Sequence, residues 1–241
     1  MNKKLVVANW KMNLTIEEGR KVILDTASKK PSLKKSEIWI APSFTSLYAL
    51  APLCRENNFS IGAQNISWKD SGAFTGDISS QMLKEIGVNF VITGHSERRK
   101  VFLETDAQVL ERTKKGLEEG FKTILCVGET LEEREANKTE DVLKKQLESV
   151  DSLSNRDNLI IAYEPVWAIG TGENATTEEI KNAHQFINSL IPNISILYGG
   201  SVTPENFGEI IKVPLVDGAL VGGASLVAEK FFKLCEIAEN S

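Results

Sequence analysis

Eight short apolar runs recur along the chain, and most of them are rich in Val and Ile. They are Leu5–Ala8, Ile38–Ala41, Ser60–Ala63, Phe90–Thr93, Thr123–Val127, Leu159–Tyr163, Ile194–Tyr198 and Gly218–Val221. Apolar and polar residues barely alternate within these runs, which is typical of strands buried on both faces of a parallel sheet. The pattern therefore predicts eight buried strands.

Charged stretches of helical character lie between the runs, and four of them begin with a capping-box pattern. In this pattern a Thr side chain and a Glu or Gln three residues later satisfy each other's free backbone N–H groups. The four pairs are Thr15–Glu18, Thr105–Gln108, Thr130–Glu133 and Thr176–Glu179. Thr203 before Pro204 predicts one more helix start, because proline fits the first helical turn without losing a hydrogen bond.

Two of the helical stretches are amphipathic and are predicted to turn an apolar face inward. One covers Asp106–Glu119 and is ended by Gly120, and the other is the last helix, Ala224–Ala238. Their predicted inward positions are Ala107, Val109, Leu110 and Leu117 in the first, and Leu226, Val227, Phe231, Leu234 and Cys235 in the second.

Strands and helices alternate strictly, in units of about 30 residues that are typical of βαβ construction. No linker or change of composition divides residues 1–241, so we expect a single domain. Eight such units predict an α/β fold, a closed parallel (β/α)8 barrel. The competing architecture is a doubly wound open sheet, which favours a Gly-x-Gly-x-x-Gly turn after the first strand. The chain instead has Asn-Trp-Lys-Met-Asn at residues 9–13, which favours the barrel.

Composition and charge exclude several classes of partner. Apolar residues make up 41% and charged residues 25% of the 241 residues, as in ordinary soluble proteins. The net charge is −5, and acidic and basic residues are interleaved, so we expect neither nucleic acid nor a membrane surface as a partner. A local cationic pocket is still compatible with an anionic small molecule. The N-terminal apolar run stops after Ala8, too short for a signal peptide, and no run is long enough to span a membrane.

The three cysteines, Cys54, Cys126 and Cys235, are odd in number and far apart. This spacing fits neither a disulfide framework nor a metal site, and it favours a reducing compartment. We therefore expect a cytoplasmic protein, with Cys126 as a small packed core residue.

Candidate chemistry lies where the predicted strands end, because the active site of a (β/α)8 barrel forms at that rim. Asn9 and Lys11 follow the first strand, His95 and Glu97 the fourth, and Glu164 the sixth. The seventh and eighth strands lead into two glycine-rich turns, Gly199-Gly200-Ser201 and Gly222-Gly223.

These residue types point to proton transfer on a phosphorylated substrate. Glycine-rich turns let backbone N–H groups approach a phosphate, while a carboxylate opposite an imidazole and an ammonium suits proton abstraction beside a carbonyl. No thiol or hydroxyl with an adjacent base lies at the strand ends. A metal site is not supported, since the only other histidine, His184, lies within a predicted helix. Two alternatives stay open: a barrel aldolase acting through a lysine Schiff base, and a non-catalytic module that binds sugar phosphates.

Eight segments, in order and at their spacing, resemble the triosephosphate isomerase family. They are residues 8–13 (ANWKMN), 62–65 (GAQN), 71–76 (SGAFTG), 93–99 (TGHSERR), 126–129 (CVGE), 163–172 (YEPVWAIGTG), 198–202 (YGGSV) and 217–226 (DGALVGGASL). The departures, Ala8 where many relatives have Gly and Thr93 where an aliphatic residue is common, touch no catalytic position. The resemblance implies a TIM barrel that interconverts dihydroxyacetone phosphate and D-glyceraldehyde 3-phosphate, in glycolysis and gluconeogenesis, without a cofactor or metal.

The resemblance also implies roles for the residues at the strand ends. Glu164 is the expected base, His95 polarises the carbonyl as a neutral ring, a property for which this family is a known example, and Lys11 stabilises the enediolate. Asn9 is expected to orient His95 and Lys11. Glu97 is expected as a catalytic residue that either exchanges protons with the site or pairs with a neighbouring arginine.

Phosphate binding and dimer formation are further implications of the resemblance. The segment Pro165–Thr171 corresponds to a closing lid with Trp167 at its hinge. The expected substrate and phosphate ligands are Asn9, Lys11, Gly170, Ser201, Gly222 and Gly223. The long loop 64–77 is expected to reach into a second subunit, with Thr75 near the partner's site, which predicts a homodimer.

Overall fold

The computed structural model describes residues 3–29, 33–148, 150–169 and 174–241. Eight parallel strands form a closed barrel in sequence order, because the first strand pairs with both the second and the eighth. The strands are β1 (Lys4–Asn9), β2 (Ser36–Ala41), β3 (Ser60–Ala63), β4 (Phe90–Thr93), β5 (Lys122–Val127), β6 (Leu159–Tyr163), β7 (Ser195–Tyr198) and β8 (Gly218–Val221). The predicted closed (β/α)8 barrel is therefore confirmed, and the open doubly wound sheet is excluded.

Ten α-helices lie among the described residues and surround the barrel. They are α1 (Ile16–Lys29), α2 (Phe44–Glu56), α3 (Ser80–Ile86), α4 (Ser96–Lys100), α5 (Asp106–Glu118), α6 (Leu131–Glu135), α7 (Thr139–Leu147), α8 (Thr177–Leu190), α9 (Phe207–Ile210) and α10 (Ala228–Glu239). No helix in this part of the chain is both long and apolar enough to cross a membrane.

Two apolar cores hold the barrel together. The first fills the space between the sheet and the helices. The second lies inside the barrel, where the Trp39 and Phe90 rings approach to 4.8 Å between centroids. A Cβ at Gly62 would meet the Phe90 ring at 2.3 Å, so glycine is required where this ring crosses the barrel. Strands covered on both sides explain the continuous apolar runs of the sequence.

All four predicted capping boxes form. Thr105, Thr130 and Thr176 each accept a hydrogen bond from the third residue of the helix that follows, whose side chain bonds back. The Thr15 N–H donates to Glu18 Oε2 at 2.7 Å, while the Glu18 N–H donates to Thr15 Oγ1 at 3.4 Å. The caps fix where four of the helices begin, and this is why they could be found from short motifs.

The predicted helix start at Thr203-Pro204 is wrong, since α9 begins only at Phe207. Residues 204–206 form a turn instead. The Asn206 side chain accepts a hydrogen bond from the Thr203 N–H at 2.8 Å, and Thr203 O accepts one from the Phe207 N–H. An Asn side chain that bonds nearby backbone offers the chain an alternative to helix.

The last helix also begins later than predicted. A short 3-10 turn, Gly223–Leu226, follows β8, and α10 starts at Ala228. Val227 is 48% exposed rather than inward, because it lies at the junction of the two segments. In α5, Ala107 is exposed as well, while Val109 and Leu117 are buried as predicted. The apolar stripe of α5 therefore begins at Val109, two residues later than the sequence pattern indicates.

Candidate active site

A cavity of about 320 Å³ opens at the carboxyl end of the barrel. Its walls come from the ends of strands β1, β4, β6, β7 and β8 and from the loops that follow them. The lining residues include Asn9, Lys11, His95, Glu164, Ser201, Gly222 and Gly223, together with Ile169, Gly199, Gly200, Val202, Thr203, Glu205, Leu220, Ala224 and Lys230. The fold thus brings together seven of the predicted site residues, which lie up to about 210 positions apart in the chain.

Glu164 and His95 face each other across this cavity. Glu164 is only 2% exposed, and its Oε1 lies 3.1 Å from His95 Nε2. The other oxygen, Oε2, accepts a hydrogen bond from the Ser96 N–H at 2.8 Å. Oε1 accepts no well-aligned hydrogen bond from the described residues. One carboxylate oxygen is therefore anchored, and the other is available to take a proton.

The backbone of α4 fixes the proton of His95. His95 is the N-cap of this helix, and its Nδ1 accepts a hydrogen bond from the Glu97 N–H at 3.2 Å. A ring nitrogen whose lone pair accepts a hydrogen bond carries no proton, so the proton of the neutral imidazole is on Nε2. The start of α4 at Ser96 thus leaves the Nε2–H of His95 as a hydrogen-bond donor toward the cavity.

Lys11 is held in a strained backbone conformation. Its φ is +52°, in the left-handed region that side chains with a Cβ rarely adopt. The Lys11 N–H donates to Asn9 Oδ1 at 3.1 Å, and Lys11 O accepts from Gln64 Nε2 at 2.9 Å. Such strain costs on the order of 1–2 kcal/mol, and it points to a function that needs the ammonium at this position.

Glu97 forms its ion pair with Lys11, because Glu97 Oε1 lies 2.7 Å from the lysine Nζ. Arg98 and Arg99 are engaged elsewhere, with Glu104 and Asp106 respectively, both at 2.6 Å. Glu97 Oε2 is 3.6 Å from His95 Nδ1. Glu97 therefore contacts two of the predicted catalytic side chains, although it does not line the cavity itself.

The glycine-rich turns after β7 and β8 form one wall of the cavity. A Cβ at Gly199 would meet Glu164 Cγ at 2.8 Å, and one at Gly200 would meet the Tyr198 hydroxyl at 2.2 Å. Glycine is thus required for the chain to pass close to the base. Gly170, predicted as a phosphate ligand, and Thr171 lie outside the described residues.

Sequence reasoning assigned no role to Glu129, which the structure places beside the active site. The side chain is fully buried, and it accepts hydrogen bonds from the Tyr163 hydroxyl and from Trp167 Nε1, both at 3.1 Å. Arg134 pairs with it at 3.2 Å and stacks on the Trp167 ring. Burial and the nearby carboxylate raise the pKa of Tyr163. Glu129 thus fixes the segment that follows Glu164, and the Cys-Val-Gly-Glu motif was the available signal.

Cys126 lies against the base from inside the barrel. Burial raises the pKa of its thiol well above the ordinary value, and the charge of Glu164 raises it further. A thiol held in this way is a poor nucleophile. The prediction that Cys126 is a packed core residue is confirmed.

Comparison with known proteins gives matches over almost the whole chain. The family model described as triosephosphate isomerase matches residues 4–238. A triosephosphate isomerase from Alkaliphilus oremlandii is 45% identical over 96% of this chain and 98% of its own. Those from Mycoplasmopsis pulmonis and Syntrophotalea carbinolica are 45% and 42% identical, each over 97% of this chain. They cover 97% and 98% of the relatives' own lengths.

Proposed function

Because the chain belongs to the triosephosphate isomerase family, we propose that it interconverts dihydroxyacetone phosphate and D-glyceraldehyde 3-phosphate through an enediolate. The observation that carries the proposal is the pair at the cavity, in which Glu164 Oε1 lies 3.1 Å from the Nε2 of His95. A base and a neutral hydrogen-bond donor at this separation can act on neighbouring carbon and oxygen atoms of one small substrate.

In the proposed reaction each catalytic side chain has a role, and every proton that is removed is returned. Glu164 removes a proton from C1 of the ketose, and the electron pair forms the enediolate while O2 gains negative charge. His95 Nε2–H and the Lys11 ammonium stabilise that charge. His95 also relays the hydroxyl proton from O1 to O2, and Glu164 returns its proton to C2. The substrate is isomerised with no net change in oxidation state, and no cofactor is required.

Asn9 and Glu97 position the charged groups in this proposal. Asn9 Oδ1 accepts the Lys11 N–H and so stabilises the strained turn. The ion pair between Glu97 and Lys11 directs the ammonium toward the cavity wall at Gly222, where a Cβ would lie 3.3 Å from Lys11 Cε. Both residues act on the substrate mainly through Lys11 and His95.

The phosphate is expected at the glycine-rich wall. The backbone N–H groups of Ser201, Gly222 and Gly223 are the proposed ligands there, together with that of Gly170 from the segment beyond Ile169. Glycine leaves room for a doubly charged group to approach the backbone closely. Removal of water as this segment closes is expected to protect the enediolate from loss of phosphate.

The aldolase alternative is disfavoured by the state of Lys11. A Schiff base needs an unprotonated amine, whereas Lys11 Nζ is ion-paired to Glu97 at 2.7 Å. Borohydride trapping in the presence of substrate distinguishes the two reactions, because only the aldolase gives a covalent adduct.

A coupled isomerase assay on the purified protein tests the proposal directly. In D₂O, an active enzyme incorporates solvent deuterium into the triose phosphates, because Glu164 exchanges its proton during the reaction. A chain that binds the substrate but shows neither turnover nor exchange is instead the non-catalytic module, and the proposed function is then wrong.

We also propose that the protein is a homodimer that uses loop 64–77. Three loops at the β1–β4 side of the rim expose large apolar side chains, with Met12 at 96%, Phe74 at 39% and Phe102 at 62% exposed. Gln64 ties this loop to Lys11 through the lysine carbonyl. An apolar face next to a catalytic residue is the kind of surface that a second copy covers.

Sedimentation at micromolar concentration checks the dimer. We expect a dimer for the wild type and a shift toward monomer for Phe74→Asp, with lower activity because the turn that carries Lys11 loses its support. A wild-type monomer with full activity rules out this role of the loop. Cys54 and Cys126 are buried free thiols, which further supports the proposed cytoplasmic location.

A further inference from the structure

A second lysine side chain lies on the wall of the cavity at which the phosphate is expected. Lys230 lines the wall formed by the turns after β7 and β8, and its side chain is exposed to the opening. Lys11 is already ion-paired to Glu97, whereas Lys230 makes no salt bridge with any residue that the structure describes. Its charge is therefore available to an anion that enters from solvent.

The place of Lys230 in its helix is unfavourable for helix stability. It is the third residue of α10, where the helix dipole disfavours a cation. The other described helices of nine residues or more carry only acidic or neutral residues in their first three positions: α1, α2, α5, α7 and α8. Helix formation therefore does not explain a lysine here, and departures of this kind mark functional positions.

One carboxylate faces Lys230 across the same wall. Glu205 also lines the cavity, and its pKa is lowered mainly by a hydrogen bond from the Thr203 side chain, with a smaller contribution from Lys230. Glu205 is therefore ionised at neutral pH, and its charge opposes that of the incoming anion. The two residues place opposite charges at the entrance to the phosphate wall.

We propose that Lys230 is a guiding residue that draws the substrate's phosphate dianion into the cavity, and that Glu205 partly offsets this attraction. The chain carries a net charge of −5, so a dianion approaching it depends on local positive charge. The ligand class is a phosphate dianion at the end of a short carbon chain. The identity of that substrate rests on the proposed function, but the charge argument holds for any phosphate monoester at this wall.

Kinetics of Lys230→Gln test the proposal, with Lys233→Gln as the matched control. Lys233 lies one turn further along the exposed side of α10 and does not line the cavity. We expect kcat/KM of Lys230→Gln to fall about three- to tenfold at low ionic strength, with kcat nearly unchanged, and the difference to shrink as salt rises. Lys230→Arg is expected to restore the wild-type value, and Lys233→Gln to keep it.

Glu205→Gln is expected to change kcat/KM in the opposite direction to Lys230→Gln. Removal of this charge is expected to raise kcat/KM by about twofold and to make its decrease with salt steeper. A lower kcat/KM in Glu205→Gln would contradict the proposed opposition of the two charges.

Inorganic phosphate separates failure of this inference from failure of the proposed function. We expect phosphate to bind Lys230→Gln about three- to tenfold more weakly than wild type or Lys233→Gln, as measured by titration without substrate. If the wild type lacks isomerase activity but this difference is found, the proposed function is wrong and Lys230 remains a phosphate-guiding residue. If the wild type is active and Lys230→Gln matches it in kcat/KM, salt dependence and phosphate affinity, the inference about Lys230 is wrong.

Discussion

The chain's two histidines lie in opposite environments, one at the rim of the cavity and one on the buried face of helix α8. His95 Nδ1 accepts a hydrogen bond from the Glu97 N–H, which leaves the proton on Nε2, facing the base. His184 is fully buried, and its Nδ1 lies 3.0 Å from Leu215 O, to which it must donate. The backbone group that each Nδ1 meets therefore decides which ring nitrogen carries the proton.

The two rings also differ in their surroundings, because His184 is packed in an apolar environment. His184 packs edge-on against the Tyr163 ring, with centroids 6.0 Å apart, and its Nε2 has no hydrogen-bond partner among the described residues. Burial lowers the pKa of His184 to about 4. One residue type therefore serves chemistry at a strand end and packing on a helix. Changes at the rim should affect turnover, and changes under α8 should affect stability.

The largest expected effect at the rim comes from Glu164→Gln. Turnover should drop by several orders of magnitude, about a thousandfold or more, because the amide cannot take a proton from carbon. Substrate affinity should stay within about tenfold, since shape and burial are preserved. Steady-state kinetics and deuterium exchange measure both, and a variant that retains most of its turnover would remove Glu164 from the role of base.

His95→Gln should have the next largest effect. A Gln amide keeps an N–H donor toward the substrate but cannot relay a proton between the two oxygens, so we expect kcat to fall about a hundredfold. The melting temperature should change little in comparison. A strong loss of stability with unchanged kcat would give His95 the packing role that we assign to His184.

Substitution of His184 on α8 is expected to change stability, and the size of the change depends on pH. Because the pKa of His184 falls from 6.5 to about 4 on folding, the unfolded chain binds the proton first. The neutral ring of His184 therefore makes its full contribution to the stability of the folded protein above the unfolded pKa. This contribution, on the order of 3 kcal/mol in total, is lost as pH falls toward 4. His184→Asn keeps a donor for Leu215 O but does not titrate.

Denaturant unfolding between pH 7 and pH 4 checks this expectation. The free energy of unfolding should decline less steeply with falling pH in His184→Asn than in wild type, while kcat at pH 7 stays the same. Equal slopes for the two proteins would show that His184 does not couple protonation to folding.

The smallest effect is spectroscopic and needs no substitution. Nitrogen NMR of the two imidazoles at pH 7 should show a neutral Nε2–H tautomer for His95 and a neutral Nδ1–H tautomer for His184. Finding the Nδ1–H form at His95 would contradict the geometry at the start of α4.

The strands and four of the helix starts could be predicted from the sequence because their causes are local. The bounds of β3, β4, β6 and β8 agree with the apolar runs at both ends, and each capping box depends on residues three positions apart. Around Thr203, Ala107 and Val227 the local pattern failed, because an Asn206 side chain or a junction between segments decided the outcome.

The cavity was only partly predictable. Asn9, Lys11, His95 and Glu164 could be identified because they follow strands. Glu129 also follows a strand, in the Cys-Val-Gly-Glu motif, but its role was not recognised, and Lys230 was not identified at all. Glu129 acts through contacts with Tyr163 and Trp167, 34 and 38 positions away. Lys230 lies in the first turn of α10, but the sequence pattern began this helix at Ala224 instead of Ala228, so the unusual position of the lysine could not be recognised.

The order of apolar runs and caps by itself determined a closed barrel and the rim at which its polar residues gather, because burial and hydrogen bonding act over a few residues. Only the tertiary structure decided that His184 donates from Nδ1 to Leu215 O, that Glu97 pairs with Lys11 rather than with a neighbouring arginine, and that Lys230 lines the cavity. The first two outcomes depend on atoms from distant parts of the chain meeting within about 3 Å, the range over which a hydrogen bond operates.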